Sequence, residues 1–183
     1  MTRPFNEATR RNIAELCAAF ARAAPDDGAP VLKRAAVAIA LTDAGDTAGQ
    51  TALLLTLRAS SLRAHRGQWA LPGGRCDAGE TPVEAALREL HEELGLELTP
   101  DAVLGLLDDY PTRSGYLITP VVVWAADSAA IKPNPDEVAS VHRIALATVE
   151  RADAFDFVAI PESKRRVIRF RHQSSLTTHR RRR

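Results

Sequence analysis

Three glutamates that share one side of a short segment are the clearest candidates for chemistry in this chain. Glu89, Glu92 and Glu93 stand at positions i, i+3 and i+4, which in an α-helix lie within an arc of about 100°. Like charges at this spacing repel each other. A hard divalent cation relieves the repulsion, because Mg²⁺ and Mn²⁺ bind carboxylate oxygens. Taken alone, however, the three residues are more typical of a solvated acidic helix face.

The segment around these acids carries the signals of a helix with defined ends. Thr81 can cap its start, Pro82 suits the first helical position and Glu84 completes a capping box, while Gly95 suits the end. The apolar residues between them repeat at the helical period: Val83, Ala86, Leu87, Leu90 and Leu94. The sequence therefore predicts a helix over residues 81–95 with one face packed on a core and the acids beside that face.

The spacing of the residues around the helix resembles the Nudix box. The matching positions are Gly74, Glu80, Arg88, Glu89, Leu90, Glu92, Glu93, Gly95 and Leu96. The resemblance implies an α+β fold in which a mixed sheet is sandwiched between helices, with Gly74, Glu80, Arg88 and Gly95 in structural roles. An ion pair between Glu80 and Arg88 is expected to hold the preceding loop on the helix.

The resemblance also implies a metal-dependent hydrolase of nucleoside diphosphate derivatives. Glu89, Glu92 and Glu93 match the acids that hold Mg²⁺ or Mn²⁺ in the family, and Glu89 or Glu93 can also take the proton of the attacking water. Glu137 is a third catalytic candidate, because it lies in a loop where many members keep such an acid. A surface or structural glutamate is the alternative for Glu137.

A second motif, just upstream of the box, indicates the substrate. Leu54-Leu55-Thr56 and the following Arg58, Arg63, Arg66, Gly67 and Pro72-Gly73-Gly74 are similar to the coenzyme A diphosphatase branch, although Leu71 replaces a usual Phe. The three arginines suit phosphate capture, because a guanidinium can bind phosphate with two hydrogen bonds. The predicted substrate-binding residues are Arg58, Arg63, Arg66, Gly73 and Gly74. For each arginine, a solvated or salt-bridged position is the alternative.

The implied reaction is hydrolysis of coenzyme A or acyl-coenzyme A to 3′,5′-ADP and 4′-phosphopantetheine or its acyl derivative. Two alternatives remain open from the sequence. One is a Nudix enzyme for ADP-ribose, dinucleotides or damaged nucleotides, since the box is shared among them. The other is a non-catalytic module that senses a nucleotide, against which the complete acid cluster argues.

The charge of the chain is divided between two unlike parts. The 183 residues contain 24 Lys or Arg and 23 Asp or Glu, but residues 164–183 hold nine of the basic residues and no acid. Residues 1–163 therefore carry a formal charge of −8, which argues against nucleic acid as a partner. We expect one Nudix domain over residues 1–163 and a basic tail over residues 164–183. The tail is either a disordered end or an electrostatic docking segment.

The rest of the sequence predicts the remaining helices and strands, the cellular location and the oligomeric state. An amphipathic helix is expected over residues 6–23, a hairpin from residues 31–42 and 51–58, further strands at residues 69–71, 103–109, 116–124, 138–146 and 167–170, and a short helix over residues 147–154. No apolar run approaches the length of a membrane span. Only two cysteines and no secretory signal favour the cytoplasm. A homodimer is a further expectation, because dimers are frequent in the family.

Overall fold

The computed structural model describes residues 3–23, 32–45, 49–60, 67–112, 114–126, 131–158 and 167–170. The chain divides into two compact units, Met1–Leu146 and Ala147–Arg183. The first unit contains helices α1 (Glu7–Ala19) and α2 (Pro82–Leu94). Its strands are β1 (Lys33–Asp43), β2 (Thr51–Arg58), β3 (Trp69–Ala70), β4 (Gly73–Arg75), β5 (Val103–Leu106), β6 (Tyr110–Pro111), β7 (Tyr116–Trp124) and β8 (Val138–Ala145).

The sheet of the first unit is mixed and has β1 near its centre. One edge of β1 runs parallel to β7 from the pair Lys33 and Tyr116 to the pair Leu41 and Trp124. Its other edge pairs antiparallel with β2 near one end and with β4 near the other. The strand order is β3–β2–β1–β7–β5, while β8 pairs with β2 and β6 pairs with β7. Because β2 and β4 share one edge of β1 at different heights, they diverge from each other.

The two faces of the sheet bury different helices. Residues of β1 and β7 with side chains toward one face pack with Leu90 and Leu94 of α2: Ala36, Ala38, Ala40, Val121 and Val123. The alternate residues pack with Ile13 and Cys17 of α1: Ile39, Leu41, Val122 and Trp124. The alternation follows from the two-residue period of a strand. The predicted α+β fold, with the sheet between helices, is confirmed.

Several elements differ from the sequence-based expectations. Helix α1 ends at Ala19, and Leu16 and Phe20 of its predicted apolar stripe are 59% and 41% exposed. Gly73 and Gly74, which follow the predicted strand over residues 69–71, lie in a separate strand, β4, because each pairs with a residue of β1. Within the described part of the chain, every helix is too short and too polar to cross a lipid bilayer.

The predicted helix over residues 147–154 is also wrong in its extent. It is a single turn, α3 (Leu146–Val149), and it is followed by a turn in which the N–H of Ala154 donates to the carbonyl of Arg151 and Arg151 forms a salt bridge with Asp153. The chain then enters β9 (Phe155–Val158), which pairs with β10 (Val167–Phe170) within the second unit.

Candidate active site

Helix α2, which carries the acid cluster, is capped at both ends as predicted. The hydroxyl of Thr81 accepts from the N–H of Glu84, and the carboxylate of Glu84 accepts from the N–H of Thr81. Gly95 ends the helix in the left-handed conformation, with φ of 68°. These caps satisfy backbone groups that the helix itself leaves unpaired. The positions of the acids along α2 are therefore fixed by local sequence.

Arg88 is the hub of the polar network on the exposed side of α2. Its Nε and Nη2 donate to the carboxylate of Glu80 at 2.9 and 3.1 Å, and Nη2 also donates to the carbonyl of Arg75 at 2.9 Å. Its Nη1 contacts Glu89 at 3.0 Å and Glu92 at 2.9 Å. The hydrogen bonds from Arg88 lower the pKa of Glu80. The contact between Glu80 and Arg88 agrees with the predicted ion pair that holds the loop on the helix.

Glu93 lies on the inner side of α2 and is almost completely buried. Its side chain is 4% exposed, and its Oε1 lies 3.7 Å from Nη1 of Arg58. Its Oε2 is buried without a hydrogen-bond partner. Burial and, after it, the negative charge of Glu89 raise the pKa of Glu93 to about 7, and Arg58 offsets only part of this effect. A buried carboxylate oxygen without a partner is unusual enough to need an explanation.

Glu89 lies between the Arg88 network and Glu93. Burial raises its pKa, and Arg88 opposes the effect. The backbone of β4 passes directly over this carboxylate: a Cβ placed on Gly74 would overlap the carboxylate of Glu89, and one on Gly73 would lie 2.7 Å from the Cα of Val37. The two glycines therefore permit the close approach of β4 to α2 on one side and to β1 on the other.

Glu137 is brought to the same site by a loop anchored on both sides. The N–H of Asn134 donates to the carbonyl of Glu93, and the N–H of Ala59 donates to the carbonyl of Glu137, each at 2.9 Å. The amide of Asn134 donates to the Glu137 carboxylate at 3.3 Å. The charge of Glu137 raises the pKa of both Glu89 and Glu93. Glu89, Glu93 and Glu137 thus form one electrostatic group, whereas Glu92 is exposed.

The donor set of this group suits a hard divalent cation. Within the described ranges, no three Asp, Glu, His or Cys side chains already converge into a metal-ion cage. The unpartnered Oε2 of Glu93 nevertheless offers a buried acceptor beside two further carboxylates, and oxygen ligands of this kind are those that Mg²⁺ and Mn²⁺ prefer. Arg88 donates to Oε1 of Glu89 and to Oε2 of Glu92, so it competes with an ion for these two carboxylates.

The predicted substrate-binding residues are only partly described. Arg58 ends β2 and lies at the site beside Glu93, and Gly73 and Gly74 form the strand above Glu89. Arg63 and Arg66, like most of the basic tail over residues 164–183, lie outside the described residues.

The sequence did not predict a cluster of basic and aromatic residues at β4, on the side away from Glu89. The guanidinium of Arg75 lies 5.9 Å from the ring centre of Tyr116, and Lys33 pairs with Tyr116 along β1 and β7. Arg75 and Lys33 are exposed. The one indication of this cluster in the sequence is that Arg75 directly follows the predicted binding residues Gly73 and Gly74. A cation above an aromatic ring, both within reach of solvent, is an arrangement that can contribute to ligand binding.

The comparison with protein families identifies the class. The model of the NUDIX domain matches residues 32–165. This range includes the box and all the acids of the site. The chain therefore belongs to the Nudix family.

Curated relatives and solved structures agree with this membership. The chain is 42% identical to the mitochondrial coenzyme A diphosphatase NUDT8 of Mus musculus over 54% of this chain and 49% of that protein. It is also 42% identical to the uncharacterized Nudix hydrolase NudL of Pectobacterium atrosepticum, over 51% and 50%. The chain thus matches about half the length of these relatives. A MutT/nudix family protein from Enterococcus faecalis shares the fold, with a TM-score of 0.52 at 21% identity over 90% of this chain and 64% of that one.

Proposed function

We propose that this chain is a metal-dependent diphosphatase that cleaves coenzyme A or acyl-coenzyme A to 3′,5′-ADP and 4′-phosphopantetheine or its acyl derivative. The observation that carries the proposal is the buried, unpartnered oxygen of Glu93 beside Glu89 and Glu137. The similarity to a coenzyme A diphosphatase supports the choice of substrate.

Glu89 and Glu93 are the proposed ligands of Mg²⁺ or Mn²⁺, with Glu92 as a third. Arg88 donates to one oxygen of Glu89 and to one oxygen of Glu92, so its positive charge competes with the ion for both carboxylates. When bound, the ion supplies positive charge to the diphosphate oxygens and acidifies water.

Glu137 is the proposed acceptor of the proton from the attacking water. Its loop is fixed by backbone hydrogen bonds to Glu93 and Ala59, so that its carboxylate stays near the acids of α2. Among the described acids of the site, Glu137 comes from a different element than the proposed metal ligands. Its carboxylate accepts a hydrogen bond from the amide of Asn134, whereas the acids of α2 contact Arg58 or Arg88. Glu89 and Glu93 are the alternative proton acceptors.

The proposed binding site for the substrate uses both faces of β4. Arg58 lies beside Glu93, and we assign it to the diphosphate of the substrate, together with Arg63 and Arg66, which the sequence predicts for the same role. Lys33 and Arg75, with the ring of Tyr116, supply cations and a flat apolar surface, which suit an adenine nucleotide that carries an additional phosphate. Coenzyme A has this additional group, its 3′-phosphate.

The test is product identification by mass spectrometry with the full chain and Mn²⁺ or Mg²⁺. Coenzyme A, dephospho-coenzyme A, ADP-ribose and a dinucleotide are offered at equal concentrations. We expect kcat/KM for coenzyme A to exceed that for dephospho-coenzyme A by at least about tenfold, because a charged contact to the 3′-phosphate is lost in the latter. Equal rates with both, or a preference for ADP-ribose, would refute the choice of substrate.

Two variants test the assignment of the acids. Glu89→Gln and Glu93→Gln are expected to lower kcat by at least about a hundredfold, a typical effect of removing a group that acts on the reacting atoms. Glu97→Gln is the matched control, since it removes the same charge just beyond α2 from a side chain that is 83% exposed. Full activity of both Glu89 and Glu93 variants would contradict the proposal.

We also propose a domain organisation, a location and an oligomeric state for the protein. These are one domain over residues 1–163 with a basic tail over residues 164–183, a cytoplasmic location, and a homodimer. Analytical ultracentrifugation of the full chain tests the last of these, and a monomer at micromolar concentration would exclude it.

A further inference from the structure

Arg58 and Glu93 form an ion pair that is incomplete on both sides. Their closest charged atoms are 3.7 Å apart, which is longer than the range of about 2.7–3.2 Å for an N–H···O hydrogen bond. Nε of Arg58 and Oε2 of Glu93 are both buried without a partner. One donor and one acceptor of the same pair are therefore left unsatisfied in a site where each such group is destabilising.

The backbones on both sides of this pair are fixed, so that only the side chains are free to change partner. The N–H of Arg58 donates to the carbonyl of Gln68 at 3.0 Å, and the carbonyl of Arg58 accepts from Gly67 at 3.1 Å. The pairing of β2 with β8 shifts register at Arg58. Glu93 lies in the capped helix α2, and its carbonyl accepts from Asn134.

The second guanidinium of the site, Arg88, is in a different situation. Each of its three nitrogens donates to a carboxylate of Glu80, Glu89 or Glu92, and Nη2 donates in addition to the carbonyl of Arg75. Arg88 is therefore committed to the loop and the outer acids, whereas Arg58 faces the inner acid. The unsatisfied groups of the Arg58 pair match two different ligands, a cation for Glu93 and an anionic oxygen for Arg58.

We propose that Arg58 is the internal counter-ion of Glu93 in the metal-free protein, that a divalent cation displaces it, and that its guanidinium then binds a phosphate oxygen of the substrate. The inference rests on the proposed function, because it takes Glu93 to be a metal ligand. Arg58 is in this sense a positioning residue: its guanidinium lies beside the buried carboxylate and occupies its place until the ion arrives.

The test measures metal binding without substrate. Mn²⁺ is titrated into the full chain at about pH 8.5, where carboxylates are ionised, and the signal of the free ion is followed by electron paramagnetic resonance. We expect Arg58→Met to bind Mn²⁺ at least about fivefold more tightly than the wild type, because a neighbouring positive charge no longer competes. Arg58→Lys, which keeps the charge, is expected to stay within about twofold of the wild type.

Arg11→Met is the matched control, because it removes the same charge from an exposed position of α1. It is expected to leave the Mn²⁺ affinity within about twofold of the wild type. Unchanged or weakened binding by Arg58→Met, with this control unchanged, would overturn the proposal. If Arg58→Met does not fold, the test is made on the wild type by nuclear magnetic resonance. The chemical shift of the Nε–H of Arg58 should change when Mg²⁺ is added, and an unchanged chemical shift would overturn the proposal.

Failure of this inference and failure of the proposed function are distinguishable. If no diphosphate is hydrolysed but Arg58→Met binds Mn²⁺ more tightly, the proposed role of Arg58 as a counter-ion is supported and the proposed function is refuted. If coenzyme A is hydrolysed but Arg58→Met leaves the Mn²⁺ affinity unchanged, the proposed function is supported and the role of Arg58 as a counter-ion is refuted. In an active enzyme, Arg58→Met should also raise KM for coenzyme A more than it lowers kcat, because the lost contact is to the phosphate.

Discussion

Replacing Glu93 by glutamine should stabilise the metal-free protein while it removes activity. The folded state raises the pKa of Glu93 from its ordinary value of 4.5 to about 7, mainly through burial. This rise corresponds to about 3 kcal/mol of unfolding free energy, at about 1.4 kcal/mol for each tenfold change in proton affinity. Since the value of 7 includes the attraction of Arg58, the ionised carboxylate destabilises the fold even with its counter-ion in place.

The direction of the effect depends on pH in a defined way. A carboxyl group whose pKa is higher in the folded than in the unfolded state binds protons more tightly in the folded state. Its contribution to stability is present below pH 4.5 and is lost as the pH rises toward about 7. Glu93→Gln does not titrate, so it should match the wild type at about pH 4 and exceed its stability by about 3 kcal/mol at about pH 8.

Urea unfolding with a chelator present measures this difference. The unfolding free energy of wild type and Glu93→Gln is compared at about pH 4 and about pH 8, with Glu97→Gln as an exposed control that should follow the wild type at both values. The comparison between variants removes the contributions of titrating groups that do not interact with residue 93, such as Glu80. A Glu93→Gln protein that is no more stable than the wild type at about pH 8 would refute the reasoning.

Three local changes separate packing from chemistry. Gly74→Ala should fold but lower kcat by at least about tenfold, because the added methyl group displaces the flexible end of Glu89. Gly73→Ala should instead lower the unfolding free energy by about 3 kcal/mol, because its methyl group meets the backbone of β1, which cannot yield; equal urea midpoints for the two variants would contradict this distinction. Thr81→Ala should lower stability by about 1 kcal/mol with kcat unchanged, since it removes a cap and no contact to the acids of the site; unchanged thermal unfolding would contradict the role of the cap.

Elements defined by neighbouring residues could be predicted from the sequence. The ends of α2 follow from Thr81, Pro82 and Gly95, whose side-chain and backbone preferences act within one turn of helix. The hairpin of β1 and β2 follows from two apolar runs on either side of a polar segment, and the pairing of the two strands is present. The ion pair of Glu80 with Arg88 could be predicted because the spacing of the Nudix box implies it.

Features set by packing between distant segments could not be predicted. The helical positions of Glu92 and Glu93 differ by one residue, yet one side chain is exposed and the other is buried. The apolar stripe of α2 turns Glu93 toward the inner side and Glu92 away from it, but the depth of burial of Glu93 depends on where β2 and the loop before β8 meet α2. The contact with Arg58 joins residues 35 positions apart, and no periodicity in the sequence encodes such a pair.

The burial of Glu93 links metal binding to the stability of the fold. An ion that neutralises this carboxylate removes the cost of about 3 kcal/mol that the folded state bears at neutral pH. A cation that binds the folded state is therefore favoured by the very burial that destabilises the metal-free protein. The rigid caps of α2 and the anchored loop at Asn134 hold the carboxylate in place despite its charge. Because the surrounding backbone is fixed in this way, and because Arg58 and the N–H of Gly73 offset only part of the cost of burial, the carboxylate of Glu93 favours a proton or a cation as a ligand before any substrate arrives.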